Sequence, residues 1–260
     1  MASLLKYIDS NVVQKNSGNL IKHTFIFIDW DDTILPTRWI LSNNNPAELY
    51  NADSIQSLFT NNQKKNIKIN QIDVLATQLL EEIMKYGRIY FVTNGLRLWF
   101  YGSARYYLPK TYKFIMKHKI EVLSAREEQM HNYPVSNELN QTLWKYNTFK
   151  KVLDRDNLIH NGNIISIGDG IYEYNAIGRI QEENLNYSVK RVKFKTLPTL
   201  DKIIEEHIQL KNDFSSIVKN NRSIYNYEGD KSNIKELFQV QIVNNFINRA
   251  RMGKIGSMYP

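Results

Sequence analysis

The chain has 260 residues, 42% of them hydrophobic and 23% charged, which is enough for one sizeable core and argues against general disorder. It contains no cysteine, so disulfides, thiolate zinc sites and a cysteine nucleophile are excluded. Its 34 basic and 26 acidic residues give a formal charge of +8, a field able to draw in phosphorylated or nucleic-acid partners.

The basic residues are dispersed through an Asn-, Ile- and Lys-rich sequence, which favours a general compositional bias over a dedicated nucleic-acid surface. The N-terminal stretch MASLLKYIDSNVVQKNSGN has neither a sustained apolar region nor a small-residue cleavage site, so no secretory signal is expected. No apolar run approaches the roughly 20 residues needed to span a bilayer. The expectation is a cytoplasmic or nuclear protein with no membrane partner.

In chain order, the first strong element is TFIFIDWDDTILPT at 24–37, an apolar, β-branched run that stops abruptly at acids. A buried central strand reaching a polar edge reads this way. Loops are expected at Asn43–Pro46 and at 61–66. Residues 69–87 predict a helix, with Ile72, Leu75, Ala76, Leu79, Ile83 and Met84 at helical spacing and Gly87 as its stop. RIYFVTNG at 88–95 predicts a second buried strand, completing a βαβ unit.

The aromatic and basic stretch 96–114 follows. Trp99, Phe100, Tyr106 and Tyr107 are assigned to a helix face packed on the sheet, with Arg97 or Arg105 reaching a substrate phosphate; the rival reading is a nucleic-acid surface. A third strand is predicted at 119–127 and a helix at 142–156. NIISIGDGIYEYNAI at 163–177 repeats the sequence of apolar strand, acidic edge and helix. Residues 187–196 predict another strand, and Leu200, Ile203, Ile204, His207 and Ile208 begin another amphipathic helix. Residues 220–233 read as an irregular link to a last helix beginning near Ile234. The fold class expected is α/β, a three-layer Rossmann-like sandwich around a mostly parallel sheet. Its ligands belong beyond the carboxyl ends of the strands.

Those strand ends collect polar groups: Asp29, Asp31 and Thr33 after the first strand, Thr93 and Asn94 after the second, Asp169 and Glu173 after 163–168. Lys145 lies on the helix leading into that last strand. These are the parts needed to move a phosphoryl group through a covalent intermediate. A carboxylate nucleophile splits the displacement in two. A hard cation such as Mg²⁺, held by a few carboxylates, lets two anions meet. A second carboxyl protonates the leaving oxygen, and fixed donors hold the phosphate oxygens.

The chain closely resembles the haloacid dehalogenase superfamily. FIFIDWDDTIL meets its first motif, a hydrophobic strand followed by D-x-D-x-[T/V]. YFVTNG meets the second, WKYNTF supplies the lysine of the third, and GDGIYE meets the fourth, G-D-x-x-x-[D/E]. The motifs occur in family order over residues 25–177, and the first also resembles that of uncharacterised eukaryotic members with a DWDDT-type motif. The resemblance implies roles for these residues. Asp29 would be nucleophile and metal ligand. Asp31 would be general acid/base, with its carbonyl on the metal. Thr93 and Asn94 would bind substrate, and Lys145 would neutralise charge. Asp169 would ligate Mg²⁺, and Glu173 would support the metal shell. An Asp at position 31 implies a phosphatase rather than a phosphate-transporting ATPase, which carries Lys-Thr there.

Other residues have plainer readings. Asp32 is expected to be exposed or to cap the following turn. Lys150 and Lys151 are assigned to a helix surface. His23, His118, His131, His160 and His207 show no paired metal spacing and are read as structural or surface groups. Neither interval between motifs, 34–92 or 96–144, leaves room for a large lid after its core elements are counted. A capless or minimally capped catalytic domain is therefore expected at 20–220, with a linker and helical extension at 221–260. The function expected is a Mg²⁺-dependent phosphomonoester hydrolase acting on a phosphorylated small molecule or macromolecule. The alternatives are a phosphomutase, a non-catalytic binding module on the same fold, and a nucleic-acid-binding protein, whose binding would fall steeply with salt.

Overall fold

The structure is a computed structural model that describes residues 23–42, 67–134, 136–156, 162–220 and 222–227. The expected loops at 43–46 and 61–66, His160 and the last helix near Ile234 lie outside the described residues. Six strands form one sheet: β1 (Thr24–Ile28), β2 (Arg88–Thr93), β3 (Glu121–Ser124), β4 (Asn163–Gly168), β5 (Ser188–Lys193) and β6 (Ile224–Asn226). Their spatial order is β3-β2-β1-β4-β5-β6, and every neighbouring pair is parallel.

β1 sits at the centre, with Ile28 opposite Phe91 of β2 and Ile167 of β4. A central parallel strand is covered on both faces, which is why all five residues of TFIFI are buried. Alternation divides them between two cores. On one face Ile26 and Ile28 join Phe91, Ile165, Ile167 and Val192 beneath α2 (Ile67–Ile83), α3 (Arg97–Tyr107), α4 (Pro109–Lys117) and α8 (Leu200–Lys219). On the other, Phe25 and Phe27 join Tyr90, Val92 and Ile164 beneath α6 (Glu138–Arg155) and α7 (Ile171–Glu183). The Phe27 ring stacks on Phe149 of α6 at 4.4 Å. Each such side chain, fully buried, contributes about 1.5–3 kcal/mol, so the three layers hold the sheet edge rigidly. No helix among the described residues is long and apolar enough to cross a membrane.

Two expectations are corrected. The third strand is four residues long, not nine. Ser124 accepts the Glu127 N–H (3.1 Å) and opens a short helix, α5 (Ala125–Gln129), so S-A-R-E turns helical. The stretch read as an irregular link contains β6, whose three half-exposed residues pair with Arg191, Val192 and Lys193 at the sheet edge. Too short and too polar to alternate, it carries no strand signal.

The order of strands creates the feature that matters most. From β1 the chain builds outward through β2 to β3, then returns to place β4 on the opposite side of β1. The carboxyl ends of β1 and β4 therefore flank a topological switch point, where connections leave in opposite directions and open a crevice.

Candidate active site

Asp29 directly follows β1, and its N–H still pairs with the Ile167 carbonyl (2.9 Å). Beyond it the chain folds into a tight turn: the Trp30 carbonyl accepts the N–H groups of Ile34 (3.0 Å) and Leu35 (2.9 Å). Trp30 continues the Ile26/Ile28 face into the core and donates to Ser103 Oγ (3.1 Å), which leaves Asp29 and Asp31 at the polar rim. Asp32 takes a left-handed backbone (φ 53°), a conformation Asp tolerates better than most residues. Its carboxylate accepts the Arg38 N–H (2.8 Å) at the start of α1 (Thr37–Ser42), so Asp32 is a cap.

The switch point gathers one cluster. A carboxylate oxygen each from Asp29, Asp169 and Glu173 lies within 4.8 Å of the others, a grouping that can hold a metal ion. Lys145, only 1% exposed, places its ammonium 2.8 Å from Asp29 Oδ1 and 2.9 Å from Glu173 Oε2. Glu173 Oε1 also accepts the Gly170 N–H (2.6 Å), fixing the start of α7. Gly168 lies directly beneath it: a Cβ there would overlap the Glu173 carboxylate and force it to shift.

The charges within the cluster conflict. Burial pushes the Asp29 carboxyl up to about 7; Lys145 opposes the shift, and Glu173 and Asp31 add to it. Burial, then Glu173 and Asp29, push Asp169 to about 9. Burial works against ionisation of Glu173, yet the Lys145 ammonium holds its carboxyl below the usual range. Lys145 itself stays charged, because its two carboxylates overcome the penalty of burial. Three carboxyls thus share one lysine, and a hard cation among them would favour the ionised forms of Asp29 and Asp169.

Asp31 belongs to a second network on the β2 side. Its Oδ1 accepts from Thr37 Oγ1 (2.7 Å) and from the indole N–H of Trp99 in α3 (2.7 Å). Its Oδ2 accepts from Thr93 Oγ1 (3.0 Å), whose oxygen in turn accepts the Gly95 N–H (2.9 Å). Asn94, beside it, keeps its Oδ1 buried without a hydrogen-bond partner, while its amide nitrogen lies 3.5 Å from the Gln141 carbonyl.

Other residues support the two networks. Thr33 Oγ1 accepts the Asp169 N–H (3.1 Å), tying the turn after β1 to the end of β4. The Asp169 carbonyl accepts from Lys193 Nζ (2.6 Å) and Thr196 Oγ1 (2.8 Å). His207 of α8 is buried and donates from Nε2 to the Thr33 carbonyl (2.9 Å); burial lowers its pKa to about 4, so it is neutral. Arg97, proposed to reach a phosphate, is engaged instead with Glu127 (3.4 Å) and Glu128 (3.0 Å). Lys150 and Lys151 are 51% and 59% exposed and pair with Glu183 and Glu128.

Asp29, Asp169, Glu173 and Lys145 are thus one cluster, and Asp31 and Thr93 are a second beside it. Trp99, Thr37, Lys193, Thr196 and His207 were not foreseen in these positions. No protein-family model, curated protein or solved structure matches this chain.

Proposed function

We propose that this chain is a Mg²⁺-dependent phosphomonoester hydrolase of the haloacid dehalogenase type, acting through an aspartyl-phosphate on Asp29. The observation that carries this reading is the convergence of Asp29, Asp169 and Glu173 around a buried lysine at the switch point of a parallel sheet. Burial raises the carboxyls of Asp29 and Asp169, to about 7 and about 9, within one crevice, a pattern that supports this reading.

Asp29 and Asp169, with the Asp31 carbonyl, would hold the cation, and Glu173 would support them. Bound there, Mg²⁺ would supply positive charge that offsets the carboxylates and the phosphate. A carboxylate oxygen of Asp29 attacks phosphorus, and the bond to the ester oxygen breaks. Asp31, which must enter the step as the acid, gives that leaving oxygen its proton and becomes a carboxylate. Water then attacks the phosphorus of the aspartyl-phosphate. Asp31 takes a proton from the water, and the bond to Asp29 breaks to release phosphate. Lys145 balances charge on Asp29 throughout, and Thr93 donates to a phosphate oxygen.

Two experiments test this reading. A panel of phosphorylated metabolites, phosphopeptides and phosphorylated nucleic-acid ends, assayed with Mg²⁺, should reveal turnover. Folded Asp29→Asn, nearly isosteric but a poor nucleophile, should lose at least about 10³-fold of it. Wild-type activity in that variant refutes the covalent mechanism. Separately, calorimetric Mg²⁺ titration should show a larger loss of affinity for Asp169→Ala than for Glu173→Ala. Unchanged affinity in Asp169→Ala removes it as a ligand.

A further inference from the structure

Asp31 is held by three donors from three elements, and they are not equivalent. Thr93 has a single hydroxyl proton, currently given to Asp31 Oδ2 (3.0 Å). If Thr93 donates to a phosphate oxygen, as the proposed function has it, that proton leaves Asp31 when substrate arrives. What remains are the two donors on Oδ1. The Thr37 hydroxyl rotates freely and also lies 3.5 Å from the Leu35 carbonyl, an alternative acceptor. The Trp99 N–H has no such freedom. It sits on a rigid, buried ring, can only donate, and lies 2.7 Å from Oδ1.

Gly95 supports the same reading. A Cβ at that position would lie 3.2 Å from each of Asp31 Oδ2, Thr93 Oγ1 and Trp99 Cδ1. The turn between β2 and α3 therefore packs close against all three groups, and a side chain there would require them to give by a few tenths of an ångström.

Resting on the phosphatase reading, we propose that Trp99 is a positioning residue for Asp31. Its indole N–H holds Oδ1, so that when Thr93 turns to the phosphate, Oδ2 is released towards the leaving-group oxygen. Trp99 need not touch substrate. In the first displacement its effect should scale with how much the leaving group needs a proton.

The test compares two esters of similar shape, phenyl phosphate and 4-nitrophenyl phosphate, with Mg²⁺. Nitrophenolate departs without a proton far more readily than phenolate. Trp99→Phe should lower kcat/KM on phenyl phosphate, which reports phosphoryl transfer to Asp29 and not the later attack of water, about tenfold or more, yet change kcat/KM on 4-nitrophenyl phosphate by less than about threefold. Site-specific replacement of Trp99 by β-(3-benzothienyl)alanine keeps the shape and lacks the N–H, so it isolates the hydrogen bond from packing. It should reproduce the same split. Equal losses on both esters, or wild-type behaviour of the benzothienyl variant, overturn the assignment. Failure of the folded wild type to turn over either ester, or any member of the phosphorylated panel, is a different result: it sinks the phosphatase reading and this inference with it.

Discussion

A buried ammonium costs several kcal/mol unless carboxylates offset it, and Lys145 meets two of them at 2.8 and 2.9 Å. Its removal leaves Asp29 and Glu173 facing each other without a counter-charge. Lys145→Ala should therefore lose roughly 10²–10³ in rate if Asp29 carries a phosphoryl group. Lys150→Ala and Lys151→Ala, on exposed ion pairs, should each cost less than about 0.5 kcal/mol. Steady-state kinetics in which Lys150 or Lys151 proves the sensitive position would move the charge-balancing role away from Lys145. Gly168→Ala should be more disruptive than an ordinary surface change, because its methyl group would displace the Glu173 carboxylate from Lys145. The acids at 29 and 169 were legible because each ends an apolar run that must be a buried strand. Trp99, Lys193 and His207 were not, because nothing in a lone indole, ammonium or imidazole marks which distant carboxylate or carbonyl it will meet.

At the scale of elements, one buried acid shows how helices are tied together above the sheet. Asp73 of α2 accepts the N–H groups of Lys110 (3.0 Å) and Thr111 (2.8 Å) and the Thr111 hydroxyl (2.9 Å). It thereby serves the N-terminus of α4 from outside, where unpaired N–H groups and the helix dipole favour an anion. Asp73→Ala should destabilise the fold by roughly 1–3 kcal/mol, read as a lower denaturant midpoint at unchanged slope. A midpoint equal to wild type would show that water replaces the carboxylate at no cost. The aromatic stretch 96–114 was legible as helix packed on the sheet, with Trp99, Phe100 and Tyr107 buried. Its break into α3 and α4 comes at Leu108, where Pro109 starts a new helix and cannot donate to the old one. Periodicity alone runs through such a break, although Pro109 marks it.

For the whole molecule, the central pattern of alternating strand and helix was readable because parallel strands are apolar throughout and helices carry a 3.6-residue period. Pairing order was not, since register and neighbours depend on contacts far apart in sequence. The same long-range packing buries two adjacent titratable groups of α8 against the sheet: Glu206, fully buried, and His207. Glu206 Oε1 accepts the Lys195 N–H (2.7 Å), but Oε2 has no hydrogen-bond partner, and burial raises its pKa to about 8. In the unfolded chain a glutamate titrates near 4.3, roughly. Between those values the folded state binds the extra proton, so stability is fully present below the unfolded pKa and declines as pH rises towards 8. His207 has the opposite sign: the unfolded chain binds the extra proton between about 6.5 and about 4, so stability declines as pH falls through that window. Glu206→Gln keeps the Oε1 acceptor and removes the ionisation. Its unfolding free energy, from denaturant titrations, should match wild type near pH 4 and exceed it increasingly up to pH 8, by on the order of 5 kcal/mol at the top of the range. A difference that stays constant from pH 5 to pH 9 would mean that Glu206 folds as a carboxylate.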